Sequence, residues 1–100
     1  MKLVKSDHFG DIQVSVYQDG KDYYMTRNQI GEGLGYSDPA NAVQNIHLRH
    51  KERLGRHEFS RVAQIELPLG GKQKVAVYTR KGIMEICRWS EQPKADAFMD

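Results

Sequence analysis

The 100-residue chain holds one cysteine, Cys87, so no internal disulfide can staple it, and a reducing cytosol is the expected setting. No apolar run approaches the ~18–20 residues of a membrane span. The opening MKLVKSDHF lacks the apolar centre of a secretory signal. Neither G-x-x-x-x-G-K-[ST] nor G-x-G-x-x-G occurs, although Gly31-Glu32-Gly33-Leu34-Gly35 is glycine-rich; C-x-x-C and H-E-x-x-H are missing too. Cys87 falls among Ile83, Met84 and Ile86 at helical spacing, a core setting and not that of a nucleophile. His47, His50 and His57 lack the carboxylate or thiolate company that zinc requires. The expectation is therefore no enzyme, no metal and no cofactor.

Charge is present in ordinary amount but uneven in place. Fifteen Lys/Arg against thirteen Asp/Glu give a net +2, yet residues 47–81 hold nine Lys/Arg against three acids, a net +6 that leaves the remainder at −4. The stretch HLRHKERLGRH, residues 47–57, has seven basic or potentially basic side chains and one acid, Glu52. Such asymmetry points to an anionic partner; its bland alternative is a solvated surface.

Hydrophobic periodicity and turn residues predict an α+β fold in one small domain, 1–100: two β-hairpins packed with short helices, including a helix-turn-helix-like unit. Ile12, Val14 and Val16 alternate with polar neighbours, and Asp19-Gly20 signals a tight turn into a second strand from Asp22 to Met25. Thr26 and Gln29 fit a capping box, Ile30 and Leu34 share one helix face, and Gly35 suits a left-handed helix end. Gly31 and Gly33 weaken this two-turn helix on propensity and would let a neighbouring backbone come close. Ser37 or Asp38 as N-cap and Pro39 in the first turn restart a helix. Ala42, Val43, Ile46 and His50 lie on one face of it, and Asn41, Gln44, Asn45 and Arg49 toward another. Gly55 is expected to break the helix before Arg56. A second hairpin turns at Gly70-Gly71 between a strand bearing Val62, Ile65 and Leu67 and a return over Lys74 to Thr79; a helix then opens at Thr79-Arg80-Lys81-Gly82 and stops near Ser90. Tyr23, Tyr24, Tyr78 and Trp89 are read as packing residues. A last helix begins near Pro93 and is cut in mid-pattern at Asp100, so the chain is expected to be the N-terminal fragment of a longer protein.

This order of elements, with Tyr23-Tyr24-Met25, Ile30, Leu34-Gly35-Tyr36-Ser37-Asp38-Pro39-Ala40-Asn41-Ala42, Tyr78, Gly82 and Pro93-Lys94-Ala95 with Phe98, resembles the BRO-N domain of phage and prophage antirepressors over roughly residues 10 to 100. The resemblance implies a DNA-binding N-terminal module of a larger transcription regulator, with a different C-terminal domain beyond it. The sequence departs at Thr26-Arg27-Asn28-Gln29, where many relatives carry an A-K-D-V-like stretch.

The candidate nucleic-acid contacts fall into two chemical groups. Asn41, Gln44 and Asn45 are candidate base readers, since Asn and Gln can bond an adenine edge through two hydrogen bonds. Arg49, Lys51, Arg53, Arg56, Arg61, Lys72 and Lys74 are candidate phosphate contacts, which position a protein without reading sequence. Three to five phosphates neutralised predict a log–log salt slope of roughly −3 to −4.5. Double-stranded DNA is the expected partner, with a homodimer and no membrane. The alternative is a protein-interaction module that binds and inactivates a phage repressor without touching DNA.

Overall fold

The computed structural model describes residues 2–9, 12–20, 22–66, 69–90 and 92. In chain order these form β1 (Lys2–Phe9), β2 (Ile12–Asp19), β3 (Asp22–Thr26), α1 (Arg27–Leu34), α2 (Pro39–Arg49), α3 (Lys51–Leu54), β4 (Ser60–Glu66), β5 (Lys72–Tyr78) and α4 (Arg80–Ser90). The strands make one antiparallel sheet in the order β1-β2-β3-β5-β4. The fold is α+β, with both expected hairpins present. The helix expected near Pro93, and Leu67 in the second hairpin, lie outside the described residues.

Two turns show why glycine is needed. Asp19 pairs with Asp22, so the hairpin turns between them, and Gly20 takes a φ of +63°. Glu66 pairs with Lys72, which makes the second loop longer than two residues; Gly70 and Gly71 both take the left-handed φ that lets it close. One strand was not expected at all. β1 pairs with β2 along its length, but the register shifts between Val4 and Asp7.

The capping box of α1 forms as the sequence predicts. The Gln29 N–H donates to Thr26 Oγ1 at 3.2 Å, and the Thr26 N–H donates back to Gln29 Oε1 at 3.0 Å. Gly35 ends the helix at φ +85°, and the N–H groups of Gly35 and Tyr36 reach the carbonyls of Glu32 and Gly31. Pro39 occupies the first turn of α2, as expected. Asp38 is the N-cap by position, but its side chain makes no capping bond; the Ala42 N–H bonds its backbone carbonyl instead. Gly31 is where α1 and α2 meet: a methyl there would sit 2.5 Å from Pro39 Cα.

Helices α1, α2 and α4 cover one face of the sheet. Val16, Met25 and Tyr78 from the strands, Ile30 and Leu34 from α1, Val43 and Ile46 from α2, Leu54, Phe59, and Ile83, Ile86 and Cys87 from α4 form the buried core. At α4, Thr79 Oγ1 accepts from the Gly82 N–H, and Gly82 itself presses against the Phe59 carbonyl, where no side chain would fit. Tyr36 Oη donates to the Ser90 carbonyl at 2.7 Å, tying the α1–α2 turn to the end of α4. Tyr24 is buried and Trp89 packs against the core, but Tyr23 is exposed.

Strand pairing also makes an arm. β5 pairs with β4 along seven residues but with β3 only at Met25–Tyr78 and Thr26–Val77. The two-stranded end from Lys72 to Ala76 therefore projects past the body of the sheet.

Candidate nucleic-acid interface

Helix α2 has one buried and one exposed side. Val43 and Ile46 are fully buried, Ala42 and His50 are half-buried, and Asn41, Gln44, Asn45 and Arg49 are all exposed. The helix carries no acidic side chain anywhere along its length. A stripe of this kind forms because residues three and four apart stack on one face. In its middle stands Leu48, 57% exposed and not anticipated from the sequence, where it reads as another apolar residue of an amphipathic helix.

The basic stretch does not run on as one helix. His50 leaves helical geometry at φ −124°, and α3 is a single turn ending at Gly55. Arg49 and Arg53 therefore do not continue one helical face. Arg53 stays partly exposed but is held to α4: its Nε and Nη2 donate to the two Glu85 oxygens at 3.1 and 3.2 Å, and its guanidinium lies 5.0 Å from the Phe59 ring centre. The Glu85 side chain is only 10% exposed, so Arg53 supplies the main counter-charge of a nearly buried carboxylate, with Arg88 Nη1 at 3.9 Å. Hydrogen bonding to Glu85 raises the Arg53 pKa further, so it stays charged. His50 stacks flat on Trp89, ring centres 3.7 Å apart. Lys51, Arg56 and His57 remain exposed.

The hairpin residues divide between two faces. Paired residues in an antiparallel ladder share a face, and neighbours along a strand alternate. Tyr78 and Met25 point toward the helices, so Ser60, Val62, Gln64, Ala76, Lys74 and Lys72 take that face along the arm. Arg61 pairs with Val77 and so takes the opposite face, where its guanidinium lies 4.9 Å from the Tyr24 ring centre. Among the described residues its buried Nε has no hydrogen-bond partner. The structure thus groups Asn41, Gln44, Asn45 and Arg49 on α2, places Lys72 and Lys74 on the helix-side face of the arm, holds Arg53 against Glu85, and puts Arg61 beside Tyr24 and in the lining of a cleft shared with His47.

A cleft of about 630 Å³ opens between α1, α2, the segment after α3 and the sheet, bounded in part by Arg27, His47, His57, Ser60, Val62 and Ala76. Arg27 Nε donates to Tyr78 Oη at 3.0 Å, and His47 Nδ1 lies 2.6 Å from the same oxygen. Burial, with the nearby Arg27 cation adding to it, pushes the His47 pKa below its ordinary value, so the ring is neutral at pH 7. Burial pushes the Tyr78 hydroxyl up, opposed in part by Arg27, so it stays a phenol. Among the described residues no three His, Cys, Asp or Glu side chains converge as a metal site, and no helix is long and apolar enough to cross a membrane.

Compared with known proteins, residues 13–100 match the family model described as the BRO family, N-terminal domain. The chain belongs to this family. No curated protein and no solved structure matches it. Within this BRO N-terminal domain, sequence reasoning had passed over Arg27 and treated His47 and His57 only as weak metal ligands. The available signal was position: Arg27 is the first residue of a capped helix, in the stretch that departs from the family pattern, and its side chain faces the sheet end that Tyr78 occupies.

Proposed function

We propose that this BRO N-terminal domain is the DNA-binding module of a phage or prophage antirepressor-type transcription regulator, acting in the cytoplasm. The observation that supports it most is the exposed, acid-free face of α2. Asn41, Gln44 and Asn45 stand where base edges would be met, and Arg49 flanks them. Leu48 in the same stripe could contact a thymine methyl group. Lys51 and Arg56 extend the cationic edge, and Lys72 and Lys74 on the arm would meet a neighbouring backbone as a wing does. A domain of this size offers a small interface, so a homodimer would supply the second half-site.

The family is one of regulatory domains and not of enzymes. A second reading keeps one specific observation in its favour. Leu48 and Val62, the latter 72% exposed, are exposed apolar side chains and would suit a repressor protein as partner.

The deciding experiment is fluorescence anisotropy of the domain with a random-sequence duplex from about 25 to about 300 mM salt, where each phosphate contact contributes about −0.9 to the log–log slope. Micromolar binding at low salt that weakens with a slope of roughly −3 to −4.5 supports the DNA module. No binding at any salt overturns it and directs the search to a repressor protein held through Leu48 and Val62.

A further inference from the structure

We propose that the cleft bounded by Arg27, His47 and His57 is a phosphate site, and that it clamps one backbone phosphate of a DNA strand lying along α2. The source of the phosphate rests on the DNA reading above; the chemistry of the cleft does not.

Three features carry the inference. First, the cleft brings two arginines, Arg27 and Arg61, and two histidines together, and no described carboxylate lines it. Among the described residues Arg27 forms no ion pair, and only its Nε is engaged, donating to Tyr78 Oη. The two terminal guanidinium nitrogens remain to donate, in the fork geometry that matches two phosphate oxygens.

Second, the hydrogen-bond chain favours one tautomer of His47. Tyr78 Oη accepts from Arg27 Nε and lies 2.6 Å from His47 Nδ1, the one ring nitrogen in reach of the hydroxyl proton, and we assign that proton to the hydrogen bond with Nδ1. A neutral His47 must then carry its proton on Nε2, the ring nitrogen that Tyr78 does not occupy. The pocket thus offers hydrogen-bond donors, and an arriving anion would also favour the doubly protonated ring. The charged and titratable groups that face His47 are Arg27 from α1 and Tyr78 from β5, with His57 and Arg61 of β4 also lining the cleft. None of them opposes an anion.

Third, place agrees with chemistry. Gln44 and His47 are three residues apart on α2, about 60° around the helix axis. The exposed stripe therefore descends along its Gln44 edge directly into the cleft. A duplex with α2 in its groove would carry a strand past that edge. Phosphate contacts of this kind fix register on the duplex while the Asn and Gln side chains meet bases. The volume of about 630 Å³ admits a phosphate group with its waters.

The test follows the ring signals of His47 and His57 by NMR while inorganic phosphate, then a short random-sequence duplex, is added to the domain. Duplex affinity is measured in parallel for wild type, Arg27→Gln and His57→Gln. His57 is exposed, so its variant keeps the fold if Arg27→Gln disturbs Tyr78. The expected result is that both probes move both histidines, and that each variant weakens duplex binding. Loss of the Arg27 contact should cost about tenfold at low salt and make the salt slope shallower by about 0.9. Duplex binding that leaves both histidines and both variants unchanged overturns the clamp and leaves the DNA module standing. Movement with inorganic phosphate but no duplex binding supports the phosphate chemistry, assigns a free phosphate source and removes the DNA reading. Silence toward both probes overturns the cleft and the DNA module together.

Discussion

Replacing Gly31 by alanine sets two well-known effects against each other. On helix propensity alone the change in the middle of α1 should stabilise the domain by about 1 kcal/mol. The close approach of α2 opposes it. The new methyl would lie 2.5 Å from Pro39 Cα and 2.6 Å from the Pro39 carbonyl carbon. Carbon atoms in contact sit ~3.5–4.0 Å apart, so α1 and α2 must separate by about 1 Å. Overpacking usually costs about 1–3 kcal/mol, and here the obstacle is backbone, which cannot rotate aside as a side chain can. Pro39 is fixed in φ, and its turn is held by the Ala42 N–H on the Asp38 carbonyl at 3.0 Å. The upper end of that range applies, and the net is a loss of about 2 kcal/mol. For a domain of this length, with about 4–8 °C per kcal/mol, Tm should fall by about 8–16 °C. Thermal unfolding followed by far-UV circular dichroism at fixed pH and concentration measures it. An unchanged or raised Tm would show that the helices part freely and that Gly31 is not the contact that sets their spacing.

The other perturbations separate structural from functional charge. Arg53→Ala should lower Tm, because Glu85 is left nearly buried beside only a distant Arg88, whereas Arg49→Ala should leave Tm unchanged and make the duplex salt slope shallower by about 0.9; the opposite assignment of the two effects would refute the division. His47 is held neutral by burial and by Arg27, so its folded pKa lies below its unfolded value of 6.5. The stability it contributes is present above pH 6.5 and is lost as pH falls toward the lowered native value, and a Tm–pH profile of His47→Gln should be flatter over that interval. Cys87 is buried, its thiol pushed up to about 12, so alkylation at neutral pH should track unfolding; reaction as fast as a free thiol's would contradict its place in the core.

Where local chemistry decides local structure, the sequence was readable. Thr26 with Gln29, Gly35, Pro39 and Thr79 with Gly82 each announce a helix boundary, and each forms there. The face of α2 was readable because 3.6-residue periodicity fixes which side chains turn inward. Three things were not. β1 shifts register between Val4 and Asp7, so no clean alternation marks it. The break at His50 was not visible, because the basic run has neither glycine nor proline before Gly55. Long-range pairing was hidden as well: nothing in the order of residues says that Arg53 meets Glu85 thirty-two positions on, or that Arg27 and His47 share the Tyr78 hydroxyl.

These hidden pairings change what the basic stretch can do. Of its seven basic side chains, His47 goes to Tyr78, His50 to Trp89, and Arg53 to Glu85 and Phe59. They pin the segment to the sheet and to α4, while Arg49, Lys51, Arg56 and His57 are exposed and take no part in these contacts. The stretch is thus not a uniform grip on a polyanion. Apart from the contact proposed for Arg27, its three permanent cations can supply a salt slope of about −2.7, and about −4.5 if Lys72 and Lys74 of the arm reach the same duplex. Between about 50 and about 200 mM salt these slopes correspond to roughly 40-fold and roughly 500-fold losses of affinity, a gap wide enough to resolve by anisotropy. The slope therefore reports whether the arm is a wing: a value near the smaller figure, unchanged in a Lys72→Ala, Lys74→Ala variant, would confine DNA contact to α2 and the segment that follows it.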